Sequence, residues 1–288
     1  MLKGAPIAQR IRDEVAAEVI RLTNQRGITP HLAFVFPDGE PSAQSYAVSM
    51  RKNCEKVGII YSEHRLSVPL QQAELMEMVE RLTNDREVTG VVIHSPMPKP
   101  LDHIAAIARM DVVKDAEAVH PETYGLLAMG APQQVPCTAA AVFELLRASA
   151  VPLAGKEAVI VGRSPGVGRA LALLLLAEKQ GPTVTVCHSA TGDLPAQTRR
   201  ADFLIVAIGR PGLITADMVK PGAVVVDVGT NVVRGPDGTE RLVGDVAFEQ
   251  VSQKCQMITP VPGGVGPVTT ACLLRNVVKC AGIDISKS

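Results

Sequence analysis

Ala158-Val159-Ile160-Val161-Gly162-Arg163-Ser164-Pro165-Gly166-Val167-Gly168-Arg169-Ala170-Leu171-Ala172-Leu173-Leu174-Leu175-Leu176 is the stretch on which the fold turns. Its opening run is apolar and mostly β-branched, which reads as a buried strand, and the leucine-rich run after Arg169 reads as a helix. Between them lie three glycines and a proline. A glycine-rich turn from strand into helix lets backbone approach a pyrophosphate, whose charge the helix N-terminus favours. The spacing departs from Gly-x-Gly-x-x-Gly, so a ligand-free βα turn is the competing reading.

The alternation continues on the C-terminal side. Thr183–Cys187, Phe203–Ala207 and Ala223–Asp227 are further apolar runs, each followed by glycine or a turn-forming polar cluster. The series reads as a doubly wound nucleotide-binding domain. In such domains an Asp or Glu ending the second strand holds the ribose 2′-OH, but Cys187-His188-Ser189-Ala190 stands there instead. No carboxylate repels a 2′-phosphate at that point, and Arg163 and Ser189 are suitable donors for one, so NADP is favoured over NAD. Farther on, the segment Ile258–Thr269 holds prolines that fix φ beside glycines that permit positive φ. It reads as a rigid ligand-holding loop at a helix start, built on Pro262, Gly263 and Gly264.

Toward the N-terminus, Ile7, Ile11, Val15, Val19 and Leu22 recur at helical spacing and Gly27 ends the run. His31–Phe36 reads as a buried strand, Ser42–Val57 as a helix stopped by Gly58, and Gln72–Asn84 as another helix. Strand-like runs at Ile59–Tyr61 and Gly90–His94 flank that last helix, so the order βαβαβ predicts a parallel sheet with helical crossovers. The fold class is therefore α/β. Residues 270–282 read as a helix that returns to the first domain, giving residues 1–138 with 270–288 as one domain and 139–269 as the nucleotide-binding one.

The chain has 288 residues, and Lys plus Arg equal Asp plus Glu at 29 each. Zero net charge supplies no bulk attraction to nucleic acid or an anionic membrane, and no run of about 18 apolar residues is present to span one. Cys54, Cys137, Cys187, Cys255, Cys272 and Cys280 show no zinc-like spacing and read as reduced core thiols of a cytoplasmic protein, with no metal site.

Several motifs occur together and in order: Pro41-Ser42-Ala43-Gln44-Ser45-Tyr46, Lys52, Cys54, Gly58, Pro96, Pro98, Lys114-Asp115, His120-Pro121, Pro136-Cys137-Thr138, Gly162-Arg163-Ser164, Val167-Gly168, Asp227-Val228-Gly229-Thr230-Asn231, Val243-Gly244-Asp245-Val246 and Pro260–Pro267 with Thr269. The chain closely resembles the FolD family, bifunctional methylenetetrahydrofolate dehydrogenase/methenyltetrahydrofolate cyclohydrolase enzymes, nearly end to end. The resemblance implies an N-terminal folate-binding domain, an NADP-binding Rossmann domain, a homodimer, and an active site in the cleft between domains. It implies cofactor contacts from Gly162, Arg163, Ser164, Gly166, Gly168, Ser189 and Thr230. It places Tyr46, Glu117, Pro262, Gly263 and Gly264 at the folate substrate.

The family assigns the cyclohydrolase proton transfers to a Lys four residues after the Tyr, aided by that Tyr and a Gln on a following strand. Here the position four after Tyr46 is Met50, which can neither accept nor donate a proton. Arg51 and Lys52 are turned away from it by roughly 100° per residue around the helix. The Gln position is His94, read either as a new general base or as a packing residue. The pterin-binding Asp position is Glu117, and the glycine after it is Ala118. Tyr46, which is kept, and the changed Met50, His94 and Glu117 thus make up the catalytic set. The expected function is NADP-dependent oxidation of 5,10-methylenetetrahydrofolate to 5,10-methenyltetrahydrofolate with cyclohydrolase activity weak or absent. A related enzyme on another one-carbon or pterin-like substrate, or a non-catalytic binding protein, are the alternatives.

Overall fold

The structure, a computed structural model, describes residues 1–234 and 238–282. The chain forms two compact units, Arg10–Gly125 with the described part of the segment from Thr270, and Met1–Gln9 with Leu126–Thr269. The break into the second unit comes at Leu126, where the sequence reading set it after residue 138.

The first unit contains most of α1 (Gly4–Arg26), then β1 (His31–Pro37), α2 (Pro41–Val57), β2 (Ile60–Leu66), α3 (Gln72–Asn84), β3 (Gly90–Ile93) and α4 (His103–Arg109). Its three strands are parallel in the order β2-β1-β3, with His31 opposite Ile60 and Leu32 opposite Gly90. The central strand is buried on both faces, as a parallel sheet between helices requires. On one face Ala33, Val35 and Ile93 pack with Leu75, Val79 and Leu82 of α3 and with Ile107 of α4. α2 begins with Pro41 in its first turn and stops at Gly58, whose φ of 78° lets its N–H cap the carbonyls of Cys54 and Glu55. β2 runs five residues beyond the Ile59–Tyr61 expectation, through polar positions that alternate across an edge strand.

The second unit contains α6 (Cys137–Ala148), β4 (Glu157–Val161), α7 (Ala170–Ala177), β5 (Thr183–Cys187), α8 (Leu194–Thr198), β6 (Phe203–Val206), β7 (Val224–Asp227), β8 (Asn231–Arg234), β9 (Glu240–Val243), α9 (Phe248–Val251) and β10 (Met257–Ile258). α5 (Pro121–Ala128) and α10 (Val265–Cys280) contribute residues to both units. The parallel sheet has the order β10-β7-β6-β4-β5, and β8 and β9 form a separate antiparallel pair. After β5 the chain crosses back over β4 to lay down β6. The topological switch point therefore lies at the C-terminal ends of β4 and β6, where a doubly wound sheet receives its ligand.

Candidate functional site

The predicted residues are carried by both units. In the first, Phe34 of β1 is fully buried and gathers the aromatic groups: the Tyr46 ring of α2 lies 5.4 Å away and the His94 ring, just after β3, meets it edge-on at 6.1 Å. Tyr46 keeps 36% of its surface exposed, so it can offer its face to a flat ligand, whereas Met50, one turn later, is 1% exposed and belongs to the core. Arg51 is drawn into an ion pair with Glu63 of β2 and stacks over Tyr61, which removes it as a stand-in for a cation at position 50.

Burial holds the His94 imidazole below its ordinary pKa, against the opposing pull of the Glu40 charge, so the ring is neutral at pH 7. Glu117 lies in the segment between α4 and α5. Its residue keeps some surface, but its carboxyl is enclosed, and burial together with the Asp115 charge pushes its pKa up to about 8. Asp115 is 1% exposed, and burial raises its pKa as well. One of its oxygens accepts the His120 N–H at 2.5 Å, and Oδ1 has no hydrogen-bond partner among the described residues. Ala118, at the family's glycine position, adopts a left-handed φ of 60°. A glycine there is thus a backbone requirement that this chain meets with alanine.

In the second unit the glycine-rich turn follows β4 and runs through a π-helical turn, Pro165–Arg169, into α7. Its glycines differ in kind. A Cβ on Gly162 would lie 2.2 Å from the Ala207 carbonyl oxygen and one on Gly168 2.0 Å from that of Gly162, so both are demanded by packing. A Cβ on Gly166 would meet nothing within 4 Å, and this is the side on which a ligand has room. Val161 and Cys187 are register partners, so Arg163 and Ser189, each two residues farther, project from adjacent strand ends. Arg163, Ser164 and Ser189 are exposed, and their side chains make no hydrogen bond or ion pair with another described residue. With no carboxylate in 188–190, this edge fits a dinucleotide that carries a 2′-phosphate. Thr230 is exposed on the loop after β7 at the same edge. Pro262 and Gly263 are exposed before α10, while Gly264 is buried, with its missing side chain's place taken by Thr259 and Pro260.

Two residues whose work the sequence did not reveal lie at the same edge. Asp245 is fully buried and accepts the N–H groups of Ile208 at 2.7 Å, Gly209 at 3.0 Å and Arg210 at 2.8 Å, together with the Asn231 side-chain amide at 2.9 Å. Asp227, at the end of β7, accepts from the backbone of Gly229 and Asp245 at 3.0 Å each and Val246 at 2.9 Å. Burial, then the Asp245 charge, raises its pKa to about 6 despite these bonds. The signal for them in sequence was an Asp next to or near a glycine at an apolar strand's end, Asp227-Val228-Gly229 and Gly244-Asp245. Among the described residues no group of three or more His, Cys, Asp or Glu is placed to hold a metal, and no helix is long and apolar enough to cross a membrane.

A family model described as tetrahydrofolate dehydrogenase/cyclohydrolase, catalytic domain, matches residues 2–117, and that family's NAD(P)-binding domain matches residues 136–284. The bifunctional protein FolD of Roseiflexus sp. (strain RS-1) is 47% identical over 281 residues, 98% of this chain and 96% of that protein. FolD of Moorella thermoacetica is 44% identical, with 98% of each chain covered. The crystal structure of the FolD methylenetetrahydrofolate dehydrogenase/cyclohydrolase of Campylobacter jejuni superposes with a TM-score of 0.91 at 40% identity, covering 98% of both chains. The Trypanosoma brucei enzyme, complexed with NADP and an inhibitor, superposes with a TM-score of 0.91 at 36% identity, covering 96% of this chain and 95% of that one. Full-length similarity at this level joins the two halves of the sequence reading: the chain belongs to the tetrahydrofolate dehydrogenase/cyclohydrolase family.

Proposed function

We propose that this protein oxidises 5,10-methylenetetrahydrofolate to 5,10-methenyltetrahydrofolate with NADP and has lost the hydrolysis of the methenyl product. In this reading residues 1–138 with 270–288 bind the folate and 139–269 bind NADP, in a cytoplasmic homodimer. The observation that carries the reading is Met50, buried one helical turn after Tyr46.

Bound NADP supplies the acceptor for the hydride that leaves the methylene carbon. The chain's own part in that step is orientation: Tyr46 offers a flat face, and Glu117, largely protonated at neutral pH, offers one O–H donor and one carbonyl acceptor to a pterin edge. Arg163 and Ser189 receive the 2′-phosphate, and the Gly162–Gly168 turn takes the pyrophosphate. Opening the methenyl cation with water requires a proton to move in the transition state. Met50 has no titratable atom to move it, and the His94 ring is set edge-on against Phe34.

The expected outcome is NADP reduction with 5,10-methylenetetrahydrofolate and methenyl hydrolysis at the buffer rate. Met50→Lys should raise hydrolysis by about 10²-fold, the low end of general acid–base contributions, since a lysine buried there has its pKa lowered toward neutrality. Hydrolysis by the wild type well above buffer overturns the reading. A second reading, turnover of a different pterin-like substrate, is favoured by one observation: Glu117 is a methylene longer than Asp and Ala118 carries a side chain at a left-handed φ. A substrate panel with turnover elsewhere and none on the folate selects it.

A further inference from the structure

Asp227 and Asp245 have no part in the chemistry above, yet they accept six backbone N–H groups between them at one end of the nucleotide-binding sheet. The position of those groups is informative. The switch point of the sheet lies between β4 and β6, and the loops leaving these strands touch there, since a Cβ on Gly162 would collide with the Ala207 carbonyl. The loop that begins at Ala207 is therefore one wall of the crevice in which a doubly wound sheet holds a dinucleotide, and the glycine turn is the other. Three consecutive N–H groups of that wall, from Ile208 to Arg210, point at the Asp245 carboxylate. In trans peptides this turns the carbonyls of Ile208 and Gly209 to the opposite side, where neither accepts a hydrogen bond from the described residues.

Asp245 is in turn fixed from behind. Asp227 binds the Asp245 and Val246 N–H groups, and the Asp227 N–H donates to Thr259 Oγ1 at 2.8 Å. Close packing leaves this arrangement no slack: a Cβ on Gly244 would lie 1.9 Å from Asp227 Oδ2, and one on Gly229 2.3 Å from Asp245 Cγ. A loop of three residues gathered on one buried carboxylate has lost its conformational freedom before any ligand arrives, and binding need not supply that ordering.

We propose that Asp245, braced by Asp227, is a positioning residue for dinucleotide binding, which builds the 208–210 wall of the crevice in advance of the ligand. The inference rests on the assignment of NADP to this unit. Asp245→Asn tests it, because the variant keeps the side chain's size and replaces one acceptor oxygen by an NH2 group. Asp202→Asn is the control: Asp202 precedes the opposite end of β6 and is held by Lys220 at 2.8 Å and the Glu157 N–H at 3.0 Å, away from the crevice.

Equilibrium dialysis with NADP+ is expected to show binding at least about tenfold weaker in Asp245→Asn, equivalent to about 1.4 kcal/mol. Asp202→Asn should bind as the wild type does even where it unfolds earlier in urea. In turnover, the KM for NADP+ should rise in Asp245→Asn with the KM for the folate unchanged. Equal affinity in wild type and Asp245→Asn, or an equal loss in Asp202→Asn, overturns the proposal. A wild type that binds no NADP+ overturns the cofactor assignment instead. Should Asp245→Asn not fold, hydrogen exchange on the wild type decides: without NADP+ the amides of residues 208–210 are expected to be protected, and exchange at the rate of an unstructured chain overturns the proposal.

Discussion

Half-buried polar groups in the first unit form a short chain. His31 Nε2 lies 2.8 Å from the Ser62 hydroxyl, which lies 2.9 Å from His64 Nε2, and which atom donates follows from the tautomer of each ring. Burial lowers the pKa of both histidines; the charges of Asp85 and Glu87 oppose this at His31, while Arg81 and His31 reinforce it at His64 against Asp85. Because the folded-state pKa is depressed below that of the unfolded chain, the unfolded state binds more protons below pH 6.5. The stability these rings contribute is present above that pH and is lost as pH falls through their folded values. Asp227 and Glu117, whose values are raised, titrate with the opposite sign, so the informative quantity is a difference. Between pH 7.5 and 5.5 the wild type should lose more urea stability than His31→Asn/His64→Asn, and equal losses would refute the assignment. At this scale the sequence supplies identities, and at Met50, His94 and Glu117 the proposed change of chemistry rests on those identities alone. Asp227 and Asp245 could not be read that way, because their role arises when loops after different strands converge.

Elements with strong periodicity were legible nearly to the residue, and those that depend on tertiary neighbours were not. α3 occupies Gln72–Asn84 as its apolar spacing foretold, β1 begins where its apolar run begins, and β5 where its β-branched run begins. α4 and the β8–β9 pair escaped because the first is a single two-turn helix and each strand of the second is four residues long with none buried. α6 ends in a device that only backbone angles disclose. After Ser149, Ala150 takes a left-handed φ of 57° to terminate the helix, a position that glycine occupies without strain. Ala150 is exposed, so its methyl contributes no burial. Ala150→Gly is expected to stabilise the protein by about 0.5–1 kcal/mol, the left-handed cost of alanine less the entropy cost of glycine, measured by urea denaturation. Ala118 shares the angle but is buried, so the same change there also removes a packed methyl and gains less.

Across the whole molecule, the chain passes between its units three times, and the sequence reading set two passages, after residue 138 and after residue 269, with none near residue 9. The helix that makes the last passage belongs to the first unit's core. Ala271, Leu274, Val277 and Val278 are fully buried, Val277 and Cys280 lie against Gly90 of β3, and the Asn276 side-chain amide donates to the Ala116 carbonyl at 3.0 Å. Large-to-small changes at such positions cost about 2–5 kcal/mol each, so deletion of the whole segment exceeds the stability of an ordinary domain. A fragment of residues 10–125 should therefore show no cooperative unfolding transition by circular dichroism, and a sharp transition would contradict this account. The interleaving also sets a schedule. On the ribosome, the main segment of the first unit is complete at Gly125, about 145 residues ahead of Thr270 in the helix that closes it, a delay of roughly 7–30 s at about 5–20 residues per second. During that time the face around Gly90 and Ala116 stays open to water and to other chains, so the order of synthesis places a demand on this sequence that its finished contacts do not display.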